Sequence, residues 1–124
     1  MRRLVYALVA VVGLTTSCSD PSFVEKVEIA NPYEYDVIAA VSGDGKAWLS
    51  LGVLNRGDEV TRLQVIDLGE RWFFRFRYPY DDDVEPAVLS LTRSDLAGVA
   101  WRVEVPRSLA ETLRKRGEPA SYDG

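Results

Sequence analysis

Hydrophobic and polar residues alternate along much of this chain, and the period of two is that of a β-strand. In the clearest run, every second position is aromatic: Trp72, Phe74, Phe76, Tyr78 and Tyr80. Successive side chains of a strand point to opposite faces, so the run predicts a strand with one wholly aromatic face. Burying each ring contributes about 2–3 kcal/mol, and we therefore expect this strand to anchor the core.

The opposite face of the same strand is basic. Arg71, Arg75 and Arg77 share it with Phe73. Guanidinium groups fork onto carboxylate and phosphate, so these four residues are candidates for binding a ligand. The competing interpretation is a solvated face whose arginines pair with acids on neighbouring strands.

Six further segments have strand-like patterns and are separated by glycine, proline, asparagine or aspartate turn signals. They lie near residues 26–29, 33–41, 47–51, 60–68, 87–92 and 99–105. The glycines within residues 42–46 predict a tight turn that joins the second and third of these strands as a hairpin. Gly52 is expected to begin the connection after the third strand. One helical turn is predicted over residues 94–98. A C-terminal helix is predicted from Ser108, which forms a capping-box pattern with Glu111, to a stop at Gly117.

About seven short strands without long helical patterns predict an all-β fold. We expect an immunoglobulin-like antiparallel β-sandwich with a short C-terminal helix, an architecture that by itself implies no function. The predicted organisation is a signal peptide over 1–17, a lipidated tether over 18–22, the sandwich domain over 23–117 and a flexible tail over 118–124.

The N-terminal segment has the pattern of an export signal. Arg2 and Arg3 precede an apolar run over residues 4–14, and small polar residues at 15–17 lead to Cys18, the only cysteine. This pattern predicts that the protein leaves the cytoplasm.

The segment that ends at Cys18 resembles the signal of bacterial lipoproteins, although Thr15 stands where that family usually has leucine. The resemblance implies that Cys18 becomes the acylated first residue of the mature protein, with the membrane as its partner and the extracytoplasmic side of the cell membrane as its location. Two alternatives are an ordinary secretory signal cut after Ser17 and an uncleaved membrane helix. The apolar run is short against the roughly 18 residues that span a bilayer.

Composition restricts the function further. Removal of residues 1–17 takes away two arginines and no acid, which moves the formal net charge from −4 to −6 and argues against a nucleic-acid partner. The chain contains no histidine, which excludes Ser-His-Asp triads, histidine general bases and most zinc sites. We therefore predict a protein that is not an enzyme and that uses no cofactor.

An acidic loop is the one candidate for metal binding. Asp81, Asp83 and Glu85 supply the hard oxygen ligands that calcium prefers, but the glycine and the bidentate glutamate of an EF-hand are missing. A solvated acidic loop is the competing interpretation.

These patterns predict a lipid-anchored, non-catalytic binding or structural module of the bacterial envelope, with an envelope protein as its candidate partner. The alternative is a small-ligand or calcium-binding β-sandwich domain, secreted or anchored.

Overall fold

A computed structural model describes residues 23–120, which form seven strands and two short helices. The strands are β1 (Phe23–Ala30), β2 (Val37–Ser42), β3 (Leu49–Leu54), β4 (Glu59–Ile66), β5 (Arg71–Arg77), β6 (Ala87–Thr92) and β7 (Arg102–Glu104). Helix α1 (Arg93–Gly98) lies between β6 and β7, and helix α2 (Arg107–Arg116) follows β7. The prediction of a mainly β fold with about seven strands is confirmed.

The strands form a three-stranded sheet in the order β4-β1-β7 and a four-stranded sheet in the order β3-β2-β5-β6. All pairings are antiparallel except that of β1 with β7, which is parallel. The immunoglobulin-like arrangement is not confirmed: in the constant-type domain the third strand shares a sheet with the sixth and seventh, whereas here β3 pairs with β2.

Apolar side chains from both sheets and both helices form one core. The three-stranded sheet contributes Val27 and Ile29, α1 contributes Leu96, and α2 contributes Leu109 and Leu113. The four-stranded sheet contributes the aromatic face of β5. Its members Trp72, Phe74 and Phe76 are 0% exposed, as is Tyr78 just beyond the strand. Tyr80, which continues the alternating pattern in sequence, lies outside the strand and is 38% exposed.

Strand β2 begins at Val37, four residues later than its sequence pattern predicts. The buried side chain of Asn31 causes this delay. Its Nδ2 donates to the carbonyl of Tyr35 at 2.6 Å, and its Oδ1 accepts from the Tyr33 amide at 3.1 Å. The Tyr35 carbonyl and the Tyr33 amide therefore belong to a turn, because they bond to the Asn31 side chain and not to a neighbouring strand.

Gly52 lies inside β3, and the expectation that it begins a connection is wrong. The register of β3 on β2 shifts at this point, between Ala39 and Ala40, and Gly52 has φ +117°. The glycine therefore marks a bulge inside the strand, a position where its positive φ is tolerated.

Strand β7 contains only Arg102–Glu104, shorter than the strand predicted over 99–105. Helix α1 begins with a capping box between Thr92 and Asp95 and ends at Gly98, with Val99 as its C-cap. Ala100 and Trp101 follow with φ of +54° and +59°, so they turn the chain back instead of extending it. The alternation of residues 99–101 therefore does not mark a strand, and the strand begins only at Arg102.

Helix α2 begins after Pro106, and the predicted capping box between Ser108 and Glu111 is wrong, because Ser108 lies within the first turn and no side chain caps the helix. The predicted stop is confirmed, since Gly117 ends the helix with φ +69°.

The first residues of the predicted tail contact the domain. The Tyr78 hydroxyl donates to the carbonyl of Pro119 at 2.6 Å, and the Asp36 amide donates to the carbonyl of Ala120 at 3.1 Å. Residues 121–124 lie outside the described part of the chain, as do the predicted signal peptide and tether at 1–22.

Candidate functional site

The outer surface of the four-stranded sheet carries the basic stripe of β5. Because Trp72, Phe74 and Phe76 of this strand are buried in the core, the alternating positions face away from it. These positions are Arg71, Phe73, Arg75 and Arg77, which we call the arginine face. Arg71 is exposed and the other three are half-buried.

Arg75 contacts an aromatic ring from another strand. Its guanidinium carbon lies 4.5 Å from the centroid of Trp48, the residue that precedes β3. A guanidinium over an indole ring is attracted by the negative face of the ring, which restricts the orientation of both side chains. The contact therefore connects the two strands on either side of β2, since Trp48 precedes β3 and Arg75 lies in β5.

A cavity of about 220 Å³ opens between these flanks. Trp48 and Ser50 line one side, and Arg75 and Arg77 line the other. The floor is formed by β2 through Ile38 and Ala40, which pair with Arg77 and Arg75 respectively. Because the middle strand presents short or apolar side chains between longer neighbours, the surface is concave.

The four-stranded sheet contains no acidic residue. Neither aspartate nor glutamate occurs within the bounds of β2, β3, β5 or β6, although the chain has 19 acids and a formal net charge of −4. The acids nearest the ends of β2 are engaged elsewhere. Asp36 accepts from the Tyr80 hydroxyl at 2.6 Å, and Asp44 accepts from backbone amides of its own turn, which lower the pKa of its carboxyl group.

The arginines of this face form no ion pair within residues 23–120. Arg71 donates to the Ser90 hydroxyl at 2.7 Å, and Arg75 contacts Trp48. Elsewhere in this region Arg93 pairs with Asp67, Arg102 with Glu28 and Glu59, Arg114 with Glu34, and Arg116 with Asp81 and Glu118, whereas Arg56, Arg62 and Arg107 form no ion pair. The strands beside β5 therefore supply no acid that pairs with the arginine face. Outside the sheet, hydrogen bonds from Thr92 and, to a smaller extent, the charge of Arg71 lower the pKa of the Asp95 carboxyl group in α1.

The acidic loop at 81–85 has a different structure from a calcium site. The Asp81 carboxylate accepts from the Asp83 amide at 2.9 Å and from Arg116 at 3.0 Å, and these contacts lower its pKa. Within the described chain, no group of three or more potential ligands is arranged to hold a metal ion. Asp81, Asp83 and Glu85 are therefore not arranged as a metal site.

Cys18, the predicted lipid-attachment residue, lies outside the described residues. Over the part of the chain that the structure covers, neither helix has the length and apolar character needed to cross a bilayer.

Comparison with known proteins adds no relative: the chain matches no protein-family model, no curated protein and no solved structure.

Sequence reasoning identified the arginines but missed the residues that complete the cavity. Trp48 directly precedes β3 and Ser50 lies in it, and their position opposite Arg75 follows from the pairing of β3 with β2 and of β2 with β5. The hairpin signal predicts the first pairing. No local signal predicts the second, because β2 and β5 are separated by two intervening strands.

Proposed function

We propose that this protein is a lipid-anchored, non-catalytic binding module on the extracytoplasmic side of a bacterial membrane, and that the arginine face is its recognition surface. The observation that carries the proposal is the set of three arginines without ion pairs on an acid-free sheet, found among residues 23–120 of an acidic protein.

The charge distribution supports recognition of an anionic partner. A half-buried guanidinium has lost part of its hydration, and a carboxylate or phosphate can restore its hydrogen bonds. An acid on the same sheet would compete for these donors, but the strands provide none. The acid-rich remainder of the molecule repels anions, so it favours their approach to this one face.

The N-terminal pattern supports the location. If Cys18 carries lipid, only residues 18–22 separate the membrane from the start of β1 at Phe23. Five extended residues span at most about 18 Å, so the domain works close to the membrane surface. Its partner is then an anionic component of the envelope.

Metabolic labelling with a fatty acid tests the anchor. We expect label in the wild-type protein and in Ser19→Ala, and none in Cys18→Ser. The mass of the intact wild-type protein extracted from membranes should correspond to the chain from Cys18 onward plus acyl groups. An unlabelled wild type, or a mass equal to that of the unmodified 124-residue chain, would refute the anchor.

Site-specific photo-crosslinking in living cells tests the recognition surface. A photoreactive residue at Ser50, on the rim of the cavity, should give a discrete crosslinked product, whereas one at Thr112, on helix α2, should give none. The product should disappear in Arg75→Glu/Arg77→Glu and persist in the matched variant Arg107→Glu. Equal products from both positions, or a product unaffected by charge reversal, would show that the arginine face is not the contact surface.

A further inference from the structure

We propose that the cavity between Trp48 and Arg77 binds a single oxyanion group, a carboxylate or a phosphate, that is attached to a small apolar or planar body. The inference rests on the proposed function, because it specifies the chemistry that the recognition surface selects.

Arg77 supplies the primary anion contact. It stands at the last position of β5, half-buried and lining the cavity, and it forms no hydrogen bond or ion pair with any side chain in the described region. A guanidinium presents parallel N–H donors that fit the two oxygens of a carboxylate or a phosphate. Arg77 is therefore a preformed donor without an acceptor.

Arg75 and Trp48 form the wall beside that donor. Their contact at 4.5 Å holds the guanidinium against the indole ring, so binding a ligand requires little further ordering of either side chain. The N–H groups of Arg75 form no side-chain hydrogen bond within residues 23–120, and they are available to a second oxygen of the same group. The wall therefore contributes both charge and an aromatic surface.

The floor and the dimensions of the cavity determine what is attached to the anion. Ile38 and Ala40 present only hydrocarbon, which favours an apolar or flat group above them. The flanking strands β3 and β5 lie two strand spacings apart, about 9–10 Å. The volume of about 220 Å³ is below the roughly 300–1,000 Å³ of pockets that enclose a drug-sized molecule, so we expect one ring or short chain with its acidic substituent.

Titration of the full chain in a neutral detergent with phenyl phosphate, benzoate, inorganic phosphate and benzyl alcohol tests this chemistry. We expect phenyl phosphate and benzoate to shift the backbone amide signals of Ala40 and Ser50. Inorganic phosphate should bind at least tenfold more weakly than phenyl phosphate, because it lacks the apolar body, and benzyl alcohol should not bind, because it lacks the charge. Benzyl alcohol binding as tightly as phenyl phosphate would overturn the proposal.

Substitutions test which residues bind phenyl phosphate. Arg77→Gln should weaken phenyl phosphate binding at least tenfold, whereas Arg107→Gln, on helix α2, should leave it within twofold. Arg77→Lys keeps the charge but loses the fork, so it should give an intermediate affinity. Each variant must retain the dispersed amide spectrum of the folded protein. Wild-type affinity in Arg77→Gln would refute the site.

A competition experiment distinguishes the two sources of the anion. If the ligand is a lipid headgroup, adding phosphatidylglycerol to the micelles should displace phenyl phosphate, while phosphatidylcholine should not. If the ligand is a soluble anion, neither lipid should displace it. Both results support an oxyanion site, whereas no binding of phenyl phosphate or benzoate overturns it. If neither phenyl phosphate nor benzoate binds but the crosslink from Ser50 still forms, the oxyanion site is refuted while the arginine face remains the recognition surface.

Discussion

The guanidinium of Arg114 in α2 forms two hydrogen bonds with the carboxylate of Glu34, 2.9 Å from Nε to Oε2 and 2.7 Å from Nη2 to Oε1. This ion pair connects the C-terminal helix with the turn that precedes β2. The hydrogen bonds from Arg114 lower the pKa of Glu34 to about 2. The same Arg114 guanidinium lies 5.9 Å from the centroid of the Tyr33 ring, so one side chain contacts two residues of this turn.

Acid should remove the contribution of this pair to stability. Because the pKa of Glu34 falls from 4.5 to about 2 on folding, the folded state binds fewer protons between these values. The stabilisation is complete above pH 4.5 and is lost as the pH falls towards 2. Both side chains are roughly half exposed, so we expect less than about 1 kcal/mol. Urea unfolding of Glu34→Gln at pH 7 and pH 3 should show a smaller loss at pH 3.

The matched control for this prediction is Glu25→Gln, at an exposed position in β1 that forms no ion pair in the described chain. Its effect on the free energy of unfolding should be near zero at both pH values. A loss in Glu34→Gln that is equal at the two pH values would contradict the assignment.

Gly52→Ala should destabilise the protein by about 1–3 kcal/mol. The backbone has φ +117° there, and an added Cβ would lie 2.6 Å from Nη2 of Arg62. Moving that group would disturb the hydrogen bond from Arg62 Nε to the carbonyl of Leu51, which is 2.7 Å long and connects β4 with β3. Chemical denaturation measures the change.

Gly98→Ala is the control, because a Cβ at Gly98 meets no atom within 4 Å and φ there is not in the left-handed range. Since alanine favours helix over glycine, this variant should be neutral or slightly more stable. An equal loss at both glycines would show that the bulge in β3 imposes no special requirement.

Tyr78→Phe should release the segment that follows α2. The buried hydroxyl donates to the carbonyl of Pro119 at 2.6 Å, and burial raises the pKa of the phenol. Its loss should cost about 1 kcal/mol and should speed hydrogen exchange at the Asp36 amide, which donates to the carbonyl of Ala120.

Tyr33→Phe controls for the removal of a hydroxyl, since the Tyr33 hydroxyl forms no hydrogen bond to residues 23–120 while its ring contacts Arg114. It should leave exchange at Asp36 unchanged. Unchanged exchange in Tyr78→Phe as well would mean that the hydroxyl does not hold the segment.

Asn31→Asp should be the most damaging of these changes. The Asn31 side chain is 0% exposed, and its Nδ2 donates to the carbonyls of Tyr35 at 2.6 Å and Leu54 at 3.1 Å. A carboxylate cannot donate to them and adds a buried charge, so we expect a loss of about 3 kcal/mol or more. The same replacement at exposed Asn55 should cost less than about 0.5 kcal/mol in thermal or urea unfolding. Similar losses at the two sites would contradict the role of Asn31.

Local patterns predicted the elements whose residues point alternately into the core and into solvent. The alternation in β5 placed three arginines and Phe73 on one face and the buried aromatic rings on the other, because the direction of a side chain depends on its position along its own strand. The turn at 42–46 and the stop at Gly117 were equally readable, since glycine relieves a local steric restriction.

Contacts between distant residues changed the rest. Asn31 holds the turn before β2 because its side chain donates both to the nearby Tyr35 carbonyl and to the carbonyl of Leu54 in β3. The turn after α1 places Trp101 5.1 Å from Trp72, in centroid distance, instead of extending β7. The cavity depends on β2 lying between β3 and β5, which brings Trp48 to Arg75 and keeps every acid outside the strands of that sheet. Alternation is a property of one strand, whereas strand order depends on packing the whole chain, and only that packing could leave Arg77 without a carboxylate beside it.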